Sequence, residues 1–288
     1  MGEKEGGTMA VDLHTHSYCS DGSLSPSELI GLAYEKKLSA IALTDHDTVS
    51  GLSEARRAAK ERSITLIPGI EISSLYDLGG TVKEFHILGL GVDETDQVFL
   101  AELEKFGKLR GQRNEKMLRL ISEKVYKIDE DDFYSRFDRS VITRAHFAQY
   151  LHEKGVVSSV KEAFDRYLGD GKMCYVPKEG VTAKEAIACI KKANGHPVLA
   201  HPPQYGLGQS VLDRTVEDLK ECGLEGIETV YSTYTQAQER ELRALAAKYE
   251  LHMTGGSDFH GTPKPDIQLG TGLGNLYVPD EFAEWLLA

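Results

Sequence analysis

Short apolar runs that end on a histidine or a carboxylate, alternating with amphipathic helical stretches, constrain this chain more than any other feature. Ala10 to Leu13 leads into His14, Ala40 to Thr44 into Asp45 and His46, and Ile64 to Ile72 carries Glu71 near its end. Glu84 to Val92 is a further strand-like run and contains His86. Buried runs of this length between amphipathic helices point to an α/β sheet covered on both faces. Ser25-Pro26-Ser27-Glu28 is a capping box with proline at the first helical position, so a helix is predicted from about Pro26, and a second over 52–61.

The alternation breaks after Gln97. From 96 to 180 the pattern is helical, with candidate helices at 98–124, 143–154 and 159–168 and no strand of core type. It resumes with a capping box at Thr182-Ala183-Lys184-Glu185, then a strand at 197–200, a helix at 212–222, a strand at 226–230, a helix at 235–248 and a strand at 251–255. The expected fold class is α/β, a distorted (β/α)7 barrel formed by residues 1–95 and 181–288, with a helical cap subdomain inserted at 96–180. The 288 residues are enough for one such unit. In α/β barrels the C-terminal strand ends are where sites are built, and the polar residues above fall there.

Lys and Arg number 33 against 45 Asp and Glu, a formal charge of -12 that argues against a broad surface for long duplex nucleic acid. The inserted segment differs: residues 96–180 hold 16 basic and 15 acidic residues, leaving 17 and 30 elsewhere. Either these are ordinary solvated helix faces, or the segment offers cations to an anionic substrate. The four cysteines form no CxxC pair, so neither a disulfide framework nor a thiolate zinc site is expected, and a reducing cytoplasm fits best. Met1 to Thr8 is polar and glycine-rich and reads as a disordered lead-in; no apolar run reaches membrane-spanning length. No membrane association and no obligate protein partner is expected.

His14-x-His16 at a strand end places both imidazoles on one side, because side chains alternate along a strand, and Asp21 follows five residues later. Such a pair could be two surface histidines. The same placement recurs, however, at His46, Glu71, His86, His201 and the Asp258-x-His260 pair. Six imidazoles and three carboxylates without a thiolate suit Zn, Mn or Fe(II) rather than Ca or Mg, and a set this rich can hold two or three divalent ions. Asp12 and Asp45 stand beside ligand histidines and are expected either to orient imidazoles or to cap strand ends.

With these motifs the chain resembles the PHP (polymerase and histidinol phosphatase) superfamily of metal-dependent phosphoesterases from Met9 onward. Thr143-Arg144-Ala145-His146, Ala163-Phe164, Tyr167-Leu168 and Tyr175-Val176-Pro177 look like the branch that hydrolyses nucleoside 3′,5′-bisphosphates, some of whose members trim short oligoribonucleotides from the 5′ end. That branch usually has proline where Ala145 stands. The resemblance implies three metal positions: His14, His16, Glu71 and Asp258; Asp21, His46 and His260; and Glu71, His86 and His201, with Glu71 bridging. It implies in-line attack by a metal-activated hydroxide, with Glu71, Asp258 and His201 in catalytic roles.

Substrate contacts are assigned to Arg144 and Lys178, with Arg110, Arg113 and His146 behind them, because a guanidinium fork matches phosphate oxygens. Arg110 and Arg113 share a helical line with Leu103, Phe106, Met117 and Leu120, which equally suits packing against barrel carboxylates. The expected substrate is a small phosphorylated nucleotide or a short oligoribonucleotide. Competing readings are a histidinol-phosphate phosphatase or broad phosphomonoesterase, an amidohydrolase, and a non-catalytic metal or nucleotide-binding module. The Asp258-x-His260 ending argues against the amidohydrolases, and the intact set of nine ligands against the non-catalytic module.

Overall fold

The structure, a computed structural model, describes residues 10–137, 142–176 and 180–287. The chain divides into two compact units, one formed by residues 1–99 and 182–288 and the other by 100–181.

The first unit is a nearly closed barrel of seven strands in sequential order: β1 (Val11–Asp12), β2 (Ala40–Leu43), β3 (Thr65–Asp77), β4 (Val82–Leu90), β5 (His196–Leu199), β6 (Gly226–Tyr231) and β7 (His252–Gly256). Closure comes from β7 meeting the chain that leaves β1: Leu13 N donates to Gly255 O at 3.1 Å and Asp258 N to His14 O at 2.9 Å. All of β2 and β6 is buried, which explains why these runs lack an apolar–polar alternation. Inside lie Val11, Leu13, Ala42, Ile67, Leu88, Val198 and Val230, an apolar plug beneath the ligand-bearing ends.

The distortion has a definite origin. β4 pairs antiparallel with both β3 and β5, whereas every other neighbouring pair is parallel. β3 and β4 run on into the segment expected to be a connection and meet at a turn where Leu78 N donates to Thr81 O at 2.9 Å. Gly79 and Gly80 there have φ of 84° and 104°, conformations that glycine adopts without strain. So short a link allows only a hairpin, because a parallel partner needs a crossover of a dozen or more residues.

Between β1 and β3 run α1 (Pro26–Glu35), whose Ser25–Glu28 capping box is formed, and α2 (Leu52–Arg62). The second unit holds most of α3 (Gln97–Lys124), with α4 (Glu130–Arg136), α5 (Arg144–Glu153) and α6 (Val160–Ala163). Its core is built on Phe133, Phe147 and Tyr150, with Phe133 and Phe147 stacked at 4.8 Å. Two details differ from expectation: α4 is an additional helix, and the 159–168 helix is α6 running into a π-helical turn, Phe164–Leu168. The barrel then continues through α7 (Ala183–Lys192), capped by Thr182 and Glu185, α8 (Gln209–Glu221), α9 (Gln236–Lys248) and α10 (Glu281–Leu287). Among the described residues no helix is long and apolar enough to cross a membrane.

Gly256 is required by the closure. A Cβ at this position would lie 2.5 Å from the backbone N and Cβ of His14. Gly256→Ala is therefore expected to lower unfolding stability by about 1–3 kcal/mol, the usual cost of overpacking a close contact. Denaturant titration checks this, and an unchanged midpoint would show that the barrel can close at a wider spacing.

Candidate metal centre

Glu71 on β3 is buried, and five imidazoles surround its carboxylate. Its Oε2 lies 3.1 Å from His14 Nε2, 3.1 Å from His16 Nε2 and 3.3 Å from His46 Nδ1. Its Oε1 lies 2.8 Å from His86 Nδ1 and 3.0 Å from His201 Nε2. Asp258 Oδ1 joins the first group at 3.3 Å from His16 Nε2 and 3.6 Å from His14 Nε2. Asp21 stands 3.2 Å from His260 Nε2 and 3.8 Å from His46 Nε2. All nine residues singled out in the sequence thus stand in one cluster, including His86, which arrives from the antiparallel strand.

Among the described residues three subsets offer donor atoms close enough to share an ion: His14, His16, Glu71 and Asp258; His16, Asp21, His46 and His260; and His46, Glu71 and His86. His201 is absent from these subsets but faces the same Glu71 oxygen as His86. The donor set fits divalent transition metals on a further observation. His46 Nδ1 is buried without a hydrogen-bond partner although it faces Glu71, a geometry suited to a lone pair directed at a cation.

Electrostatics agree. Burial pushes the Glu71 carboxyl up, but His46, His14 and His86 outweigh it and hold it well below the usual carboxylate range. Asp258 is likewise raised by burial and lowered further by Lys264, His260 and His14, for a net depression. Burial works against charge on His16 and His86, yet neighbouring carboxylates, Asp258 and Glu71 for the first and Glu71 and Glu84 for the second, lift both to about 9. Burial dominates at His46 and lowers it to about 4.

Residues around the ligands hold them in place, and three of these were not singled out in the sequence. Glu228, fully buried on β6, accepts from His14 Nδ1 at 3.1 Å and from the His201 backbone N–H at 2.8 Å. It thereby sets the His14 tautomer so that Nε2 presents its lone pair to the cluster. Tyr231 donates to Asp258 Oδ2 at 2.5 Å, and Lys264 donates to the same oxygen at 2.5 Å. A glutamate inside an otherwise apolar strand, Gly226 to Val230, was the available signal for Glu228. Nothing local marks Tyr231 or Lys264.

Asp12 and Asp45, by contrast, hold loops rather than imidazoles. Asp12 accepts from Ser257 N, Ser257 Oγ and Gly270 N, at 2.8, 2.5 and 2.8 Å. Asp45 accepts from Ser17 N, Ser17 Oγ and Ser20 Oγ, at 2.8, 2.7 and 2.7 Å. Two of the nine candidates also sit on left-handed backbone, His201 at φ 32° and Asp258 at φ 57°. Strain of this kind, worth on the order of 1–3 kcal/mol per residue, persists where surrounding contacts over-determine the conformation.

The proposed substrate cations belong to the second unit. Arg144 pairs with Asp170 at 3.0 Å and lies over the Tyr175 ring at 5.6 Å. Arg113 is buried and its Nε donates to Val176 O at 3.3 Å. His146 Nδ1 accepts from Thr143 N at 2.9 Å, closing the cap of α5. Lys178 and the Arg110 side chain lie outside the described residues.

Buried imidazoles and carboxylates gathered at the strand ends of a seven-stranded barrel define a metal-dependent hydrolase. The PHP domain family model matches residues 12–191, and the chain belongs to that family. A protein of Haemophilus influenzae named 5′-3′ exoribonuclease is 38% identical over 92% of this chain and 95% of its own length. A 3′,5′-nucleoside bisphosphate phosphatase of Chromobacterium violaceum is 32% identical over 87% of each chain. Among solved structures, a Bifidobacterium adolescentis protein provisionally described as a metal-dependent phosphoesterase superimposes with a TM-score of 0.85 at 28% identity, over 97% of this chain and 96% of that one. The chain is accordingly a metal-dependent phosphoesterase.

Two expectations follow from the geometry. Glu228→Ala should weaken zinc or manganese binding roughly 10–100-fold, the usual effect of losing the partner that orients a ligand histidine. Chelator competition measures this, and an unaltered dissociation constant would remove Glu228 from the site. Protonated His16 and His86, near 9 without metal, must also release protons when an ion binds. Zinc affinity should therefore fall as pH falls from 8 to 6, about tenfold per unit for each proton displaced. Equal affinities at the two pH values would contradict that coupling.

Proposed function

We propose that the protein removes the 3′-phosphate from nucleoside 3′,5′-bisphosphates and trims short oligoribonucleotides from the 5′ end. The observation that carries this reading is the Glu71-centred cluster, set in a chain that aligns along most of its length with relatives named for those two activities. Two or three Mn, Zn or Fe ions are the proposed cofactors, with the cytoplasm as location. Metal ions bound there supply Lewis-acid charge and lower the pKa of water, so that a nucleophile is available near neutral pH. No serine, cysteine or aspartyl nucleophile is required.

The protein's own residues divide the work. His14, His16, Glu71 and Asp258 would hold one ion, Asp21, His46 and His260 a second, and Glu71, His86 and His201 a third. Glu71 faces imidazoles with both of its oxygens, so it could contribute to more than one of these positions. Glu228 and Tyr231 hold His14 and Asp258 in orientation, so the donors are preorganised. In this reading Arg144, with Arg113, Arg110, Lys178 and His146, recognises the phosphate that is not cleaved. A histidinol-phosphate phosphatase or broad phosphomonoesterase would use the same ligands without that recognition, and a non-catalytic module would bind metal without turnover.

Phosphate release from nucleoside 3′,5′-bisphosphates, mononucleotides, histidinol phosphate and short RNAs, with Mn and Zn compared, separates these readings. The bisphosphate should have the highest kcat/KM, and chelation should abolish turnover. Arg144→Ala should lower kcat/KM for the bisphosphate by roughly tenfold or more, the scale of a lost hydrogen bond to a charged group, and leave small monophosphates near wild type. Equal kcat/KM for mono- and bisphosphate, or equal loss on both in the variant, would favour the broad phosphatase.

A further inference from the structure

Lys264 lies in the loop that follows β7, where Lys264 N donates to Gly261 O at 3.0 Å and Ile267 N to Lys264 O at 3.0 Å. The loop is tied down at its start, since Thr262 N donates to Ser23 Oγ at 3.0 Å and Ser23 N to His260 O at 2.8 Å. The Lys264 side chain remains 40% exposed while its ammonium reaches Asp258 Oδ2 at 2.5 Å.

The two oxygens of Asp258 face different surroundings. Oδ1 looks into the imidazole cluster, 3.3 Å from His16 Nε2, 3.6 Å from His14 Nε2 and 3.5 Å from His260 Nδ1. Oδ2 takes Tyr231 and Lys264. The ammonium is therefore one carboxylate away from the ligand cluster, on a side chain that also reaches solvent. An ammonium has three N–H donors. Among the described residues only Asp258 Oδ2 takes one, so two are available to a ligand. A cation so placed, in a barrel whose other nearby charges are carboxylates and imidazoles, has an anion as its natural second partner.

We propose that Lys264 binds the non-bridging oxygens of the phosphoryl group that is cleaved, keeping its contact with Asp258 while its free N–H donors turn to the ester. This rests on reading the cluster as a phosphoester-cleaving centre, and it gives the barrel a phosphate contact of its own, separate from Arg144.

The test uses full-length metal-loaded protein, with inorganic phosphate as the probe. Lys264→Met should weaken phosphate binding, measured calorimetrically, by roughly tenfold or more, the scale of a lost hydrogen bond to a charged group. Metal content by elemental analysis should match wild type, and KM should rise for mono- and bisphosphate substrates alike. Lys264→Arg, which keeps the charge, should recover most of the phosphate affinity. Unchanged phosphate binding in Lys264→Met overturns the proposal, as does a loss of metal that accounts for the weaker binding, because Lys264 then serves only to hold Asp258. A wild-type protein that binds phosphate but prefers monophosphates refutes the bisphosphate reading and leaves Lys264 in place. A loaded wild-type protein that binds no phosphate refutes both.

Discussion

Everything at the strand ends is arranged around one buried carboxylate. An isolated ionised glutamate in a barrel interior is expensive, and such a group ordinarily takes up a proton. Glu71 is held ionised instead because His14, His46 and His86 face it, with His16 and His201 completing the ring. Of the buried imidazoles, His16 and His86 gain more from the neighbouring carboxylates than burial costs them, whereas burial prevails at His46.

The barrel delivers these groups by local devices that oppose the regular βα plan. The β3–β4 hairpin reverses one strand and so brings His86 in from the opposite direction. Left-handed backbone at His201 and Asp258 turns each residue away from its strand axis, and Glu228 secures the first by accepting its backbone N–H. Gly256 lets β7 approach the chain at His14 closely enough for both to contribute to one site. Regularity is given up where ligands must converge.

The candidate residues are divided between the two units. The nine candidate ligands, and the hydrogen bonds that Glu228 and Tyr231 make to two of them, belong to the barrel unit. The cations assigned to substrate recognition belong to the helical unit, where Arg144 already has Asp170 and the Tyr175 ring as neighbours.

Nine ligand candidates were legible in the sequence from His, Asp and Glu recurring on or just after apolar runs, a local property, although Glu71 and His86 lie within longer strands rather than at their ends. The capping boxes at Ser25 and Thr182 were legible for the same reason: the signal and its partner lie three residues apart. The antiparallel β4 was not anticipated, although Gly79-Gly80 carried the clue, since hairpin and crossover differ only in where the chain goes next. Asp12 and Asp45 sit beside histidines in sequence yet hold serine and backbone donors, a matter of which way a carboxylate turns. Glu228, Tyr231 and Lys264 gain their meaning from partners as far away as His14, 214 residues from Glu228 in the chain. Sequence determined which residues could bind metal, because ligand chemistry resides in the side chain. Tertiary structure decided which atoms orient them, because hydrogen bonds depend on direction and distance that chain order does not encode.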